Sequence, residues 1–184
     1  MNKVDLSSFS SKEIDKGAGR IKRLFWYFVN AFFLNCYWNL SSGLKVQLLK
    51  AFGAHIGKDV MIKPNVNIKR PWHLTIGDYV WIGEGVWIDN NTDVFIESNC
   101  VLSQNAMLLC GNHNYKKKSF DSFPGKIVLK EGAWICARAI VAPGVTVHTH
   151  AILGIDSVTT KDLAPYTIYQ GNPAIEVRKR VIED

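Results

Sequence analysis

A period of six residues runs through most of this chain and constrains its fold more than any other feature. An aliphatic residue recurs in this step from Ile56 onward, and a small or β-branched residue follows four places later in 12 of 14 cases, Trp72 and Asn112 being the exceptions. The period matches neither an α-helix nor a simple strand. It predicts a parallel β-helix, in which three hexads close one triangular coil. Chance alternation in a β-sandwich is the competing explanation, and 14 hexads argue against it.

The phase of this repeat slips three times, and one slip is large. Two extra residues separate Ile68 from Ile76 and Ile88 from Ile96, whereas the interval from Leu108 to Leu129 is 21 residues, three more than a full coil. We therefore predict that residues 110–126 leave the prism as a loop, and loops on rigid scaffolds are common homes for function. Glycine follows the aliphatic residue where tight corners are expected, at positions 57, 77, 83 and 154.

Three regions follow from this pattern. Residues 1–52 are predicted to form a polar tail over residues 1–19, either loosely ordered or a loop or capping segment, and two helices over residues 20–52 divided near Ser41. Residues 53–163 form the β-helix with its loop, and residues 164–184 a turn and a short capping helix. The apolar run of 17 residues from Leu24 to Leu40 contains three asparagines. It is at the lower limit for spanning a bilayer, so we expect it to pack on the domain or on a neighbour. Because basic residues precede it, peripheral contact of residues 20–40 with a membrane surface stays an alternative.

Composition sets the broader limits. The 184 residues suit one domain with an appendage, and the net charge of +6 is compatible with an anionic partner or with ordinary surface charge. Four cysteines form no CxxC pair and no zinc spacing, which favours reduced thiols in the cytoplasm. The first 20 residues lack the apolar run of a signal peptide. We expect no nucleic-acid partner and no metal.

Several motifs together resemble the hexapeptide-repeat acyltransferases. Within that family the chain is most similar to the sugar O-acetyltransferases of colanic acid and exopolysaccharide biosynthesis. The likeness covers about residues 45–180. It is found in the hexads, in the run from Val80 to Asn90, in His113-Asn114-Tyr115, in Trp134, in Thr160-Lys161-Asp162 and in Gly171-Asn172-Pro173-Ala174.

The resemblance implies an all-β fold, a left-handed parallel β-helix of hexapeptide repeats with an N-terminal helical segment, an extruded loop and a short C-terminal helix. It implies a homotrimer whose sites lie between subunits and a direct transfer from acetyl-CoA to a sugar or glycan. His113 matches the catalytic histidine, and an imidazole titrates near neutrality, as a general base for a hydroxyl requires. The coenzyme contacts that the family implies are Trp134, Thr160, Lys161 and Arg178, together with the Ala137 N–H as donor to the thioester oxygen.

Acceptor contacts are predicted at Asp89, Asn90, Asn114 and Tyr115, although Asp and Asn also favour turns for their own sake. The chain departs from the family at several positions. Gly83 stands where many sugar acetyltransferases have an asparagine against the acceptor, Cys136 replaces a glycine, and Ile155 lies where the coenzyme is expected to pass.

Three other functions compete with O-acetylation. The first is an amino-sugar N-acetyltransferase of the same fold. The second is a metal-dependent hydratase that uses three histidines, although His148 and His150 lie away from the loop and no third histidine has the needed spacing. The third is a non-catalytic scaffold for a polysaccharide complex, which predicts that His113→Ala has no effect on acetyl transfer.

Overall fold

The computed structural model describes residues 3–10 and 16–183. Most of these residues belong to short strands separated by tight turns. The first nine strands are β1 (His55–Ile56), β2 (Met61–Ile62), β3 (Asn67–Ile68), β4 (Leu74–Ile76), β5 (Trp81–Ile82), β6 (Trp87–Asp89), β7 (Val94–Ile96), β8 (Val101–Leu102) and β9 (Met107–Leu109). The others are β10 (Ile127–Leu129), β11 (Trp134–Ile135), β12 (Ile140–Val141), β13 (Thr146–Val147), β14 (Ile152–Leu153), β15 (Val158–Thr159), β16 (Thr167–Gly171) and β17 (Ala174–Lys179).

From β1 to β15, each strand pairs with the strand three places later in the chain. The strands therefore form the three faces of a triangular prism. The first face has the order β1-β4-β7-β10-β13, the second β2-β5-β8-β11-β14-β16-β17, and the third β3-β6-β9-β12-β15. Pairing is parallel from β1 to β16. Strands β1 to β15 make five coils and β16 begins a sixth. The parallel β-solenoid predicted from the hexads is thereby confirmed.

The aliphatic residues of the hexads stack in register inside the prism. On the first face the stack contains Ile56, Ile76, Ile96, Leu129 and Val147. All five are buried, and burial of such a side chain contributes about 1.5–3 kcal/mol. The period of six therefore encodes one continuous hydrophobic column.

Glycines after the aliphatic residues allow successive coils to approach closely. A Cβ added to Gly77 would lie 2.6 Å from the Ser98 nitrogen, and one added to Gly83 would lie 2.9 Å from the Gln104 nitrogen. Neither glycine has a positive φ, whereas Asn99 and Asn105 do. Contact with the neighbouring coil, rather than backbone conformation at the corner, is thus the reason for glycine at these positions.

Helices cover the open edges of the second and third faces at the N-terminal end of the column, beside β2 and β3. They are α1 (Arg20–Val29), a π-helical turn (Asn30–Leu34) and α2 (Ser42–Ala51). The Trp26 indole donates to the Ile68 carbonyl at 2.8 Å, and Asn30 Oδ1 accepts from the Ile68 N–H at 3.2 Å. On the second face Ser42 Oγ accepts from the Ile62 N–H at 2.7 Å. These side chains satisfy backbone groups that would otherwise be unpaired.

The C-terminal segment differs from the prediction. Strands β16 and β17 form an antiparallel hairpin on the second face, where a short capping helix had been expected. The reason is that β16 extends the second sheet and leaves a free edge, which β17 pairs with. Beyond the hairpin, Arg180 Nη1 donates to the Gly132 and His150 carbonyls at 3.1 and 3.2 Å and fixes the segment to the column.

Candidate active site

One long connection leaves the described part of the column, between β9 on the third face and β10 on the first. It spans residues 110–126, where the hexad phase breaks. The outgoing and returning halves pair with each other: the Phe123 N–H donates to the Asn112 carbonyl at 3.0 Å, and the Asn114 N–H donates to the Asp121 carbonyl at 2.8 Å. We call this segment the histidine loop.

The imidazole of His113 is held in a defined orientation on this loop. Its Nδ1 lies 3.0 Å from the Phe120 carbonyl oxygen. Because a carbonyl only accepts, Nδ1 carries the proton in the neutral ring, and Nε2 presents a lone pair. The ring stacks on Phe120 with centroids 4.7 Å apart and planes at 8°, and Ser122 Oγ lies 3.5 Å from Nδ1. Since the residue is exposed, Nε2 belongs to an accessible imidazole suited to accept a proton.

A segment near the start of the chain packs against the histidine loop, which the sequence did not predict. The Asp5 N–H donates to the Lys118 carbonyl at 2.9 Å, and the Ser122 N–H donates to the Ser10 carbonyl at 3.3 Å. Between these anchors the Phe9 ring lies 5.9 Å from the His113 ring. We call residues 3–10 the strap. For residues 3–10 the structure therefore favours the predicted capping segment over a loosely ordered tail, whereas residues 11–15 lie outside the described part of the chain.

Two of the predicted acceptor residues lie beside the base of the loop, one at the end of strand β6 and one directly after it, and they have different roles. Asp89 is near Gly111, where an added Cβ would lie 3.3 Å from Asp89 Oδ2, and it pairs with Lys69 at 2.6 Å. Asn90 is fully buried. Its amide accepts from the Arg70 N–H at 2.9 Å and donates to the Arg70 carbonyl at 2.6 Å and the His73 carbonyl at 3.3 Å. The structure corrects the prediction for Asn90, because its polar atoms hold the preceding coil and are not available to a sugar.

The other two predicted acceptor residues lie on the loop. Asn114 Oδ1 accepts from the Lys116 N–H at 3.1 Å, an Asx turn that shapes the backbone after His113. Tyr115 is 75% exposed, with Lys116 Nζ 6.0 Å from its ring centroid. Both side chains are accessible in part, so their predicted role stays a prediction.

The residues expected near the acyl group lie elsewhere on the prism. Trp134 projects from the second face, 39% exposed, and its indole donates to Ser103 Oγ at 2.9 Å. Ala137 follows at the edge between the second and third faces. The adjacent Arg138 N–H donates to the Gln104 carbonyl, but among the described residues the Ala137 N–H has no hydrogen-bond acceptor. The second face is opposite the edge from which the histidine loop leaves, so one chain does not bring these groups to His113.

The predicted phosphate contacts do not lie together: two share the edge of the histidine loop, and the third is on the second face. Thr160 and Lys161 are exposed and follow β15, at the edge between the third and first faces, two coils beyond the histidine loop. Arg178 is exposed on β17, paired with Ile168 at the margin of the second face.

Cavities beside His113 are small. One of about 30 Å³ is lined by His113, Asn112, Gly111, Asn91, Ser122 and Pro124. Another, of about 180 Å³, lies at the loop between Asn114 and Phe123. Pockets that enclose small molecules generally measure about 300–1,000 Å³, so neither would enclose a sugar and an acyl carrier together.

Three of the four thiols are poorly suited to be nucleophiles. Burial raises the pKa of Cys100 and Cys110 to about 12 each and that of Cys136 to about 11. Since a thiolate is the reactive form, these residues are protonated at neutral pH. Within the part of the chain that the structure describes, no three His, Cys, Asp or Glu side chains are grouped to hold a metal, and none of the helices is both long enough and apolar enough to cross a bilayer.

No family model matches the chain, whereas individual relatives and solved structures do. WcaF of Escherichia coli (strain K12), assigned as a colanic acid biosynthesis acetyltransferase, is 36% identical over 177 residues, spanning 96% of this chain and 97% of WcaF. Galactoside O-acetyltransferase of Lactococcus lactis is 26% identical over 145 residues, spanning 73% of this chain and 67% of that protein. The solved structure of a hexapeptide-repeat acetyltransferase from Vibrio cholerae, complexed with acetyl coenzyme A, superposes with a TM-score of 0.79 at 18% identity and covers 91% of this chain and 93% of that one.

Proposed function

Because this chain belongs to the hexapeptide-repeat acetyltransferases and is 36% identical to a colanic acid biosynthesis acetyltransferase, we propose that it acetylates a sugar hydroxyl of a surface polysaccharide or its precursor. The donor is acetyl-CoA, which supplies an activated thioester when bound. The observation that best supports the proposal is the orientation of His113, whose Nδ1 is engaged by the Phe120 carbonyl at 3.0 Å.

His113 acts as general base in this proposal. Its Nε2 removes the proton of the acceptor hydroxyl as the oxygen forms a bond to the acetyl carbon. The carbon–sulfur bond breaks in the same direct transfer, and the proton passes to the departing sulfur. The Ala137 N–H donates to the acyl oxygen as negative charge develops there. The raised thiol pKa values are compatible with direct transfer, since no acyl-cysteine is required.

We further propose that each site is completed by a second copy of the chain in a homotrimer. His113 and the Trp134–Ala137 pair belong to opposite sides of the prism, and the cavities beside His113 are small. Trp134 of a neighbouring copy would then face the acyl chain. Lys161 and Arg178 are exposed cations suited to the coenzyme phosphates, while Asp89, Asn114 and Tyr115 are the candidates for the acceptor.

The base is tested by measuring thiol release from acetyl-CoA with a panel of sugars and amino sugars, followed by mass spectrometry of the products. We expect His113→Ala to lower kcat by about 10²–10⁴ with little change in coenzyme binding. The matched control is His55→Ala, an exposed histidine on β1, two coils before the histidine loop, which should retain wild-type turnover. Equal activity of His113→Ala and wild type would contradict the proposal, and acetylation of nitrogen alone would favour the amino-sugar alternative.

Shared sites are tested by mixing two inactive variants. If His113 and Trp134 of one site come from different chains, coexpression of His113→Ala with Trp134→Ala regenerates intact sites, about a quarter of the total for random assembly. If both residues act within one chain, the mixture stays as inactive as its components. The mixture therefore distinguishes a shared site from a site within one subunit.

A further inference from the structure

The outer side of α1 and the π-helical turn is an exposed apolar surface. Trp26 and Asn30 point into the column, and the residues on the opposite side of the helix are large and hydrophobic. Their exposed fractions are 75% for Ile21, 58% for Leu24, 62% for Phe25, 50% for Phe28 and 60% for Phe32. We call these five residues the α1 ridge. Singly exposed apolar residues are normal, but a contiguous row of this kind marks an interaction surface.

The position of α1 fixes the direction in which the ridge faces. Hydrogen bonds between coils run along the axis of the column, and the Ile68 N–H and carbonyl point away from the next coil toward Asn30 and Trp26. The helix therefore lies beneath β3, at the N-terminal end of the prism. The ridge, on the far side of the helix, faces outward along the axis rather than toward a lateral face.

Amphipathic aromatic residues adjoin this surface. Tyr37 and Trp38 are 65% and 63% exposed, and the Trp38 ring contacts Phe33 of the π-helical turn edge-on at 5.6 Å. Leu40 is 77% exposed. Tyrosine and tryptophan are enriched at the boundary between lipid headgroups and acyl chains, because one part of each ring system is apolar and the other polar.

The segment that contains the α1 ridge carries only positive charges. Residues 16–58 contain seven Lys or Arg and no Asp or Glu. Arg20 and Arg23 line a cavity of about 400 Å³ together with Ile21 and Leu24 of the ridge. The buried Nε of Arg23 has no acceptor among the described residues. An apolar face with arginines beside it, on a segment without acidic residues, matches an anionic bilayer surface, which attracts basic groups and accepts apolar ones.

We propose that the α1 ridge docks this protein on the surface of a bilayer rich in anionic phospholipid. The ridge enters the headgroup–acyl boundary, the arginines contact lipid phosphates, and the column stands away from the membrane. Taken together with the proposed function, this places the histidine loop above the bilayer, where an acceptor sugar carried on a lipid would lie. That last step depends on the proposed function, whereas membrane docking does not.

Flotation of the full-length protein with lipid vesicles tests the docking without any use of activity. We expect wild type to float with vesicles of phosphatidylcholine and phosphatidylglycerol, and much less with phosphatidylcholine alone or at high salt. Replacing Phe25 and Phe28 by serine should abolish flotation, and replacing Arg20 and Lys22 by glutamine should weaken it about fivefold per charge. Val181→Ser, at an 80% exposed residue in the C-terminal segment, is the matched control and should float like wild type.

Circular dichroism and sedimentation velocity on the same variants complete the test. Folded Phe25→Ser, Phe28→Ser protein that keeps the wild-type assembly state, fails to float and still acetylates a water-soluble sugar supports docking through the ridge. Wild type that does not bind anionic vesicles overturns the proposal, as does a ridge variant that floats normally. Loss of the assembly state, with no vesicle binding by wild type, would instead identify the ridge as a contact between copies.

Discussion

Replacing Asn90 by alanine distinguishes a residue that holds the coil from one that binds the acceptor. The buried Asn90 amide makes three hydrogen bonds to backbone groups of the corner at Arg70–His73. Alanine removes all three and leaves the N–H and two carbonyls without these partners. The substitution therefore affects the packing between two successive coils directly below the histidine loop.

The expected loss of stability follows from these contacts. A typical hydrogen bond contributes about 1 kcal/mol net, and a buried group left unsatisfied costs more. We therefore expect Asn90→Ala to lower the free energy of unfolding by about 3–5 kcal/mol, with a fall in Tm of roughly 3 °C for each kcal/mol. For the enzyme that remains folded, KM for the acceptor should change by less than about threefold, since the side chain has no atom free for a sugar.

The assay combines urea denaturation with acceptor kinetics at a temperature where both proteins are folded. Asn114→Ala is the matched comparison, because Asn114 makes one local hydrogen bond on the loop and is a candidate acceptor contact. It should raise KM while lowering stability by no more than about 1 kcal/mol. A stable Asn90→Ala protein with KM raised tenfold or more would refute the assignment of Asn90 to the corner.

Three further predictions concern the strap, the column and the buried thiols. Phe9→Ala removes the ring 5.9 Å from His113, and we expect kcat/KM to fall about tenfold through looser positioning with Tm unchanged, as steady-state kinetics and calorimetry would show. Leu108→Ala, at a fully buried position, should cost about 2–5 kcal/mol in urea denaturation. The pKa of Cys100 and of Cys110 is raised from 9.0 to about 12, so stability is retained below pH 9 and falls above it by about 1.4 kcal/mol per pH unit for each thiol. The double alanine variant should show a correspondingly flatter alkaline profile.

The column was predictable because the sequence itself repeats every six residues. Each aliphatic residue of a hexad lies above its counterpart one coil earlier, as with Ile76 and Ile96, so spacing alone identifies the core. The same spacing located the histidine loop by the break in phase. Position after Leu108 then singled out His113, although the orientation of its ring depends on Phe120, seven residues away.

Long-range polar contacts were not predictable in this way. The strap is held by Asp5 and Ser10 against residues more than 100 positions later, and no local pattern marks such pairs. Asn90 occupies a corner, where asparagine is favoured whether its side chain is buried or exposed. The sequence therefore could not show that this side chain is buried. In the C-terminal segment a short capping helix was expected, although Ile175 and Val177 alternate with charged residues in the manner of a strand. The decisive factor was the free edge of β16, which sequence does not reveal.

The helices and the hairpin that cover the two ends of the column determine whether one prism can pair with another end to end. Beneath β2 and β3, side chains of the helices occupy backbone groups that would otherwise be ready to pair. At the other end, the hairpin of β16 and β17 closes the second face, and Leu163 pairs with Val147 on the first. Removal of residues 1–52 would expose a triangular cross-section of unpaired strands at one end only, a template on which two prisms pair end to end.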